Sequence, residues 1–294
     1  MSHRLGLVAV AVAAGAVTSI ASQQARAPQR PVFRSQVQTV AVYATVNDRE
    51  GRLVPDLTRD DFLVLDNGKP ANLVVFSNEI QVITVAVLLD MSTSMIRRLL
   101  RVREASMAFV NALLPDDRVR VGTFGDEVAI SPHLTNNKAL LTRVLEEELW
   151  PGGFTPLWRA VDAGMTSLAG ERGRRVVLTV TDGQDSTDSG PSYDDVRRRA
   201  IAERFMVYAV GFGSGGLGSM THLAEETGGG HVLVGDSDNL QAALARVADE
   251  LRHQYLLGFT PTALDGRVHK LEVKMARSGM KARVPKNYLA VPDK

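Results

Sequence analysis

None of the 294 positions is a cysteine. That excludes disulfides, thiolate zinc sites, a cysteine nucleophile and a lipid anchor on an N-terminal cysteine. Neither sign of charge is in excess. The chain has 34 Lys and Arg against 33 Asp and Glu, a net charge of +1. A bulk electrostatic attraction to nucleic acid or to a membrane is therefore missing. The six histidines are scattered with no H-x-x-x-H pair, which leaves a zinc hydrolase without support. No G-x-S-x-G elbow occurs either, so a serine hydrolase of that type has no nucleophile. What remains is an ordinary soluble globular balance, with 45% hydrophobic and 23% charged residues, and enough length for one or two domains.

The N-terminus carries an apolar run from Leu5 to Val17 behind His3 and Arg4. A short positive region, an apolar core and then small residues read as a secretory signal. Ser19-Ile20-Ala21 and Ala25-Arg26-Ala27 both resemble cleavage sites. The first is favoured, because the second would leave Pro28 at the new terminus. The run is short for a membrane span, so contact with a membrane is expected only if the segment stays uncleaved. The expectation is a signal peptide and the start of a linker over 1–27, linker over 28–35, and export to the periplasm, cell envelope or exterior.

Two textures follow. Residues 36–78 contain alternating or apolar strand patterns at 37–46, 63–65 and 72–76. Thr58 is placed to cap a short helical turn, and Asn67-Gly68 is a strong hairpin signal. From residue 80 to 253, strands at about 81–89, 119–124, 175–181 and 205–211 alternate with helical patterns at about 95–114, 136–149, 156–169, 192–203, 217–227 and 238–253. This alternation predicts an α/β fold, a doubly wound and mostly parallel sheet. Residues 254–294 return to strands at 255–259, 269–275 and 281–284. The two flanks are expected to pair into a small β-rich module into which the α/β domain is inserted.

The chemistry gathers at strand ends. Val82–Leu89 is apolar and mostly β-branched, the pattern of a strand buried on both faces, and it ends in Asp90-Met91-Ser92-Thr93-Ser94. Val176–Thr181 is a second such strand and ends in Asp182-Gly183; between them lies Gly152-Gly153-Phe154-Thr155-Pro156. In a parallel sheet both carboxylates face the crevice beyond the strand C-termini. Asp90, Ser92, Ser94, Thr155 and Asp182 form an oxygen-only set suited to a hard divalent cation such as magnesium, with manganese or calcium as alternatives. Few direct carboxylates leave the metal electron-poor, so an Asp or Glu from a partner protein is a strong further ligand. Thr155 ahead of Pro156 is expected to be a helix N-cap.

These segments resemble the von Willebrand factor A domain, with Asp90, Ser92, Ser94, Thr155 and Asp182 matching that family's metal-ion-dependent adhesion site. The likeness runs from about Val82 to Glu250 and includes Tyr208-Ala209-Val210-Gly211-Phe212-Gly213. The flanks, with Val46–Val54, Leu57–Phe62 and Tyr255–Pro261, are similar to a bacterial secreted subfamily. The resemblance implies a divalent cation, a protein ligand and a ligand rim at Met91, Thr93, Phe154 and Gly183. Trp158-Arg159 departs from the family's usual small or acidic pair.

Other signals are discounted. Gly211–Gly216 matches G-x-G-x-x-G, with Asp236 about 20 residues on, but it follows a late strand where the dinucleotide fingerprint needs the first one. Asp182, Asp185 and Asp188 lack EF-hand spacing. Arg97, Arg98, Arg101 and Arg103 read as a solvated helix face. An aspartyl-phosphate enzyme needs a second Asp two residues after the nucleophile, and position 92 is Ser; no enzyme activity is expected. Two readings remain. One is a metal-dependent adhesion or protein-interaction module; the other is a structural or assembly component of the envelope with a vestigial metal site.

Overall fold

A computed structural model describes residues 39–147, 151–183, 185–187, 190–212, 217–235 and 238–291. The expected signal and linker, and also Asp188, Gly213–Gly216 and Asp236, lie outside these residues.

The chain opens with β1 (Val40–Asn47), a 3-10 turn at Arg59–Asp61, β2 (Phe62–Asp66), β3 (Lys69–Pro70) and β4 (Asn72–Ser77). The α/β part follows with β5 (Thr84–Asp90), a 3-10 turn at Thr93–Arg98, α1 (Leu99–Asn111), β6 (Arg118–Phe124), β7 (Val128–Ile130) and α2 (Lys138–Glu147). Then come α3 (Leu157–Ser167), β8 (Arg175–Thr181), α4 (Tyr193–Glu203), β9 (Phe205–Phe212), α5 (Gly218–Glu226), β10 (His231–Val234) and α6 (Leu240–Arg252). The chain returns through β11 (Tyr255–Thr260), β12 (Val268–Met275), β13 (Lys281–Arg283) and β14 (Asn287–Leu289).

The central sheet has the order β10-β9-β8-β5-β6-β7. Its pairs are parallel except β6 with β7. Every residue of β5 is buried, which is what an apolar strand covered on both faces requires. Its side chains alternate. Val85, Val87 and Leu89 join one core with Val102 and Phe109 of α1 and the buried stripe of α6. Ala86 and Leu88 join the other with Leu157, Val161 and Met165 of α3 and Val196 of α4. The α6 stripe Leu240, Ala243, Leu244, Val247, Ala248 and Leu251 has the three- and four-residue spacing of one helix face. Burying each Leu or Val is worth roughly 1.5–3 kcal/mol.

The flanking strands form two further antiparallel sheets, β13-β1-β11-β4 and β14-β12-β2-β3. They share one apolar core built on Val40, Val42, Leu57, Phe62, Leu257, Phe259, Leu271 and Tyr288. Residues distant in sequence meet here: Val42 pairs with Leu257, and Val64 with Val273. The α/β class, the parallel sheet and the antiparallel flank sheets are those expected from the sequence.

Details differ. The strand expected from residue 81 starts at Thr84, because the Gln81 amide donates to the Arg252 carbonyl and the Ile83 amide to Asp117. The first helix begins as a 3-10 turn before becoming α-helical at Leu99. The short edge strands β3, β7, β10 and β14 carried too few residues for a periodic signal.

Candidate metal centre

Parallel strands finish on one edge of the sheet, and the loops that leave it are what the fold presents to a ligand. Asp90 is the last residue of β5 and is fully buried. Its Oδ1 accepts the Ser92 amide at 2.8 Å, and its Oδ2 accepts the Thr181 hydroxyl at 2.5 Å. Burial pushes the Asp90 carboxyl above the usual range, and the bonds from Ser92 and Thr181 counter this only in part. Among the described residues no cationic side chain pairs with Asp90.

The hydroxyls continue outward from it. Ser92 Oγ lies 3.1 Å from Ser94 Oγ, and the Ser94 hydroxyl donates to Asp182 Oδ1 at 2.8 Å. Ser92 is buried and Ser94 exposed, so the set runs from the sheet interior to solvent. The third loop packs against the first. The Gly152 amide donates to the Met91 carbonyl at 2.8 Å, and the Thr93 hydroxyl to the Gly153 carbonyl at 3.2 Å. Gly153 has φ +81°, and a Cβ there would lie 2.6 Å from the Asp126 amide nitrogen. Only glycine accommodates that turn and that approach. Thr155 is held through its main chain: its amide donates to the Ser186 hydroxyl at 2.7 Å and its carbonyl accepts the Ser186 amide at 3.0 Å. A Cβ on Gly183 would be 4.0 Å from Thr155 Oγ1, which puts this hydroxyl beside the Asp182 loop.

Two sequence expectations are corrected here. Thr155 is not the N-cap of α3; Pro156 occupies that place, and the helix begins at Leu157. The Thr155 hydroxyl is thereby left out of helix capping. Met91 is not a rim residue. It is 2% exposed and packs in the core with Leu89 and Met95, because the alternation of β5 carries one residue past the strand end. Thr93 and Phe154 are exposed, Phe154 at 70%, and Gly183 is half-buried. Trp158 points inward and stands edge-on to Tyr193. Asp185 accepts the Trp158 amide at 3.4 Å, a role at the start of α3.

Arg98 has a place that the sequence reading as a solvated face did not anticipate. Its Nη1 lies 2.6 Å from Asp182 Oδ2, with the two side chains 22% and 9% exposed. Its guanidinium stands 5.3 Å above the Phe212 ring. Thr181 was equally missed. As the last residue of β8 it lies beside the end of β5, and only the sheet order reveals that.

The donors suit a hard cation. They are hydroxyl and carboxylate oxygens, and among the described residues the buried Asp90 carboxylate has no cation to offset its lost hydration. Asp90, Ser92, Ser94, Thr155 and Asp182 would hold such an ion, and Arg98 is a competing cation on Asp182. Among the described residues no group of three or more His, Asp or Glu side chains forms a metal cluster of another kind.

The von Willebrand factor type A domain model matches residues 84–247. No curated protein matches the chain. Among solved structures, a von Willebrand factor type A protein from Catenulispora acidiphila is 11% identical, with 88% of this chain and 74% of that one covered at a TM-score of 0.52. That coverage exceeds the matched domain, so the flanks share in the likeness of fold. An aerotolerance-related membrane protein from Bacteroides fragilis NCTC 9343 is 18% identical, covering 57% of this chain and 98% of that one at a TM-score of 0.48. The domain match, spanning more than half of the chain around the strand-end oxygens described above, makes this protein a member of the von Willebrand factor type A family.

Proposed function

We propose that the chain is a divalent-cation-dependent protein-binding module of an exported protein. Asp90, Ser92, Ser94, Thr155 and Asp182 hold magnesium, or manganese or calcium in its place. An Asp or Glu of the partner protein completes the coordination. The observation that carries this reading is the hydrogen-bonded row Ser92–Ser94–Asp182 leading out from the buried Asp90. Exposed Phe154 and Ile96, at 70% and 51%, give the partner apolar contact beside the polar centre. The role is binding, not catalysis: position 92, where a phosphoryl-transfer enzyme of this shape needs an acid, is a serine. Export rests on residues 1–27. No helix among the described residues is long and apolar enough to cross a membrane.

One observation favours the second reading, an envelope scaffold with a vestigial site. Arg98 already neutralises Asp182, so the fold has a metal-free way to satisfy that carboxylate. Co-purification from the native envelope separates the two. Wild type, Ser92→Ala and Thr155→Ala proteins are each compared in magnesium and in chelator. Partner loss with chelator and with either substitution is expected. Partner retention that ignores all three would favour the scaffold.

A further inference from the structure

At the opposite end of the sheet, where β8 and β9 begin, lies a cleft of about 800 Å³. Its walls are the loop before β8, the turn from α4 into β9, β1 at Ala41 and Tyr43, and the C-terminal segment at Pro285, Asn287 and Val291. Four arginines line it: Arg172, Arg174, Arg175 and Arg204. So do Glu171, Glu203 and Glu226, but each has an arginine that does not line the cleft. Arg118 pairs with Glu171 at 2.6 Å, Arg199 with Glu203 at 3.0 Å, and Arg197 with Glu226. The acids are thus already neutralised from outside.

Among the described residues, Arg174 and Arg175 are hydrogen-bonded by neutral groups. Arg174, 7% exposed, donates to the Leu251 and Val82 carbonyls and to Gln254 Oε1, and stacks 5.2 Å from the Tyr43 ring. Its Nε is buried with no hydrogen-bond partner among the described residues. Arg175 donates to the Glu203 carbonyl and lies 4.2 Å above the Phe205 ring. Arg204 donates to the Leu289 and Val291 carbonyls, which ties the C-terminal wall to the cleft. Among the described residues no carboxylate forms an ion pair with Arg172, Arg174 or Arg175. Burial pulls the Arg174 guanidinium down to about 10 and lowers Arg175 and Arg204 as well. Asp117 and Glu203 act on Arg174 and Arg175 from a distance and offset only part of the burial; charges removed from water are costly, and an anion bound in the cleft relieves what remains.

We propose that this cleft binds a small multivalent oxyanion, a molecule bearing phosphate or several carboxylates, through Arg172, Arg174 and Arg175. Guanidinium donors match both groups geometrically, and the volume is that of a small-molecule site. The chain's own N-terminal segment cannot supply the charge, since the first acidic residue is Asp48. The site is independent of the proposed metal centre, about 20 Å away along a seven-residue strand.

Calorimetry and thermal unfolding with pyrophosphate and with citrate test this, in chelator so that no metal-bound anion contributes. The two probes distinguish a phosphate from a polycarboxylate source. Saturable binding of at least one probe is expected, weakening as salt rises. Arg175→Gln should weaken it about tenfold, and Arg172→Gln with Arg175→Gln should weaken it further. Arg175→Lys should recover part, while Arg52→Gln, outside the cleft, should bind as wild type. Arg174→Gln is not used alone, because its bonds to Leu251 and Val82 also hold the fold. Binding of neither probe, or equal binding by the doubly substituted protein, overturns the proposal.

Discussion

Replacing Arg98 with glutamine tests the electrostatics of the candidate centre most directly. Arg98 Nη1 and Asp182 Oδ2 are 2.6 Å apart, and the carboxylate is only 9% exposed. A hydrogen bond between charged groups contributes about 1.5–3 kcal/mol. With the arginine 22% exposed, solvent screening reduces this to about 1–2 kcal/mol. A divalent ion at Asp182 must displace this guanidinium or bind beside its positive charge. Removing it should therefore tighten magnesium binding by about 1–2 kcal/mol, or roughly five- to thirtyfold. The metal-free protein should lose about the same stability, because Asp182 is then left without its cation. Arg98→Lys, which keeps the charge but loses the planar fork, should fall between. Titration calorimetry reads the affinity, and denaturant unfolding in chelator reads the stability. Unchanged or weaker magnesium binding by Arg98→Gln would refute the competition between arginine and metal.

Asp90→Ala should abolish magnesium binding, since it removes the buried charge around which the loop is built; unaltered affinity by calorimetry would sink the assignment. Gly153→Ala should destabilise the protein by more than about 2 kcal/mol, because φ +81° and the nearby Asp126 backbone leave no room; an unshifted melting temperature would contradict this. Arg283 pairs with Glu250, which is 4% exposed, and also bonds Tyr208. Arg283→Ala should cost about 1–3 kcal/mol, since the carboxylate keeps only the long contacts to the more exposed Arg246 and to the Tyr208 hydroxyl, each at 3.4 Å, while Arg283→Met with Glu250→Leu should recover much of the loss; equal losses in both, by urea unfolding, would rule this out. The Thr58 amide, opposed by burial and aided by the Arg277 guanidinium, holds the Asp61 carboxyl below the usual range. Its contribution is thus present above the unfolded-state value and lost as the pH falls through the lowered folded one. Asp61→Asn should flatten that part of the acid unfolding curve, and an identical acid limb in the variant would show the group to be unlinked.

What the sequence determined alone follows from local periodicity. The apolar run into Asp90, the run into Thr181-Asp182 and the spaced stripe of α6 announce buried strands and an amphipathic helix. The strand–helix alternation leaves a parallel sheet as the economical way to cover them, and strand ends gather on one edge of such a sheet. What required tertiary structure were the pairings between segments far apart in the chain. Nothing near Arg98 says that it will meet Asp182, 84 residues on, since helix-face arginines are usually solvated. Thr181 reaches Asp90 only because β8 and β5 are neighbours. Met91 turns inward, and Thr155 yields the cap to Pro156, because the sheet edge and the Ser186 loop set their directions. The arginine cleft lies between parts of the chain separated by more than 100 residues. Charge balance summed along the sequence hides it, because burial and pairing, not composition, decide which charges stay uncompensated.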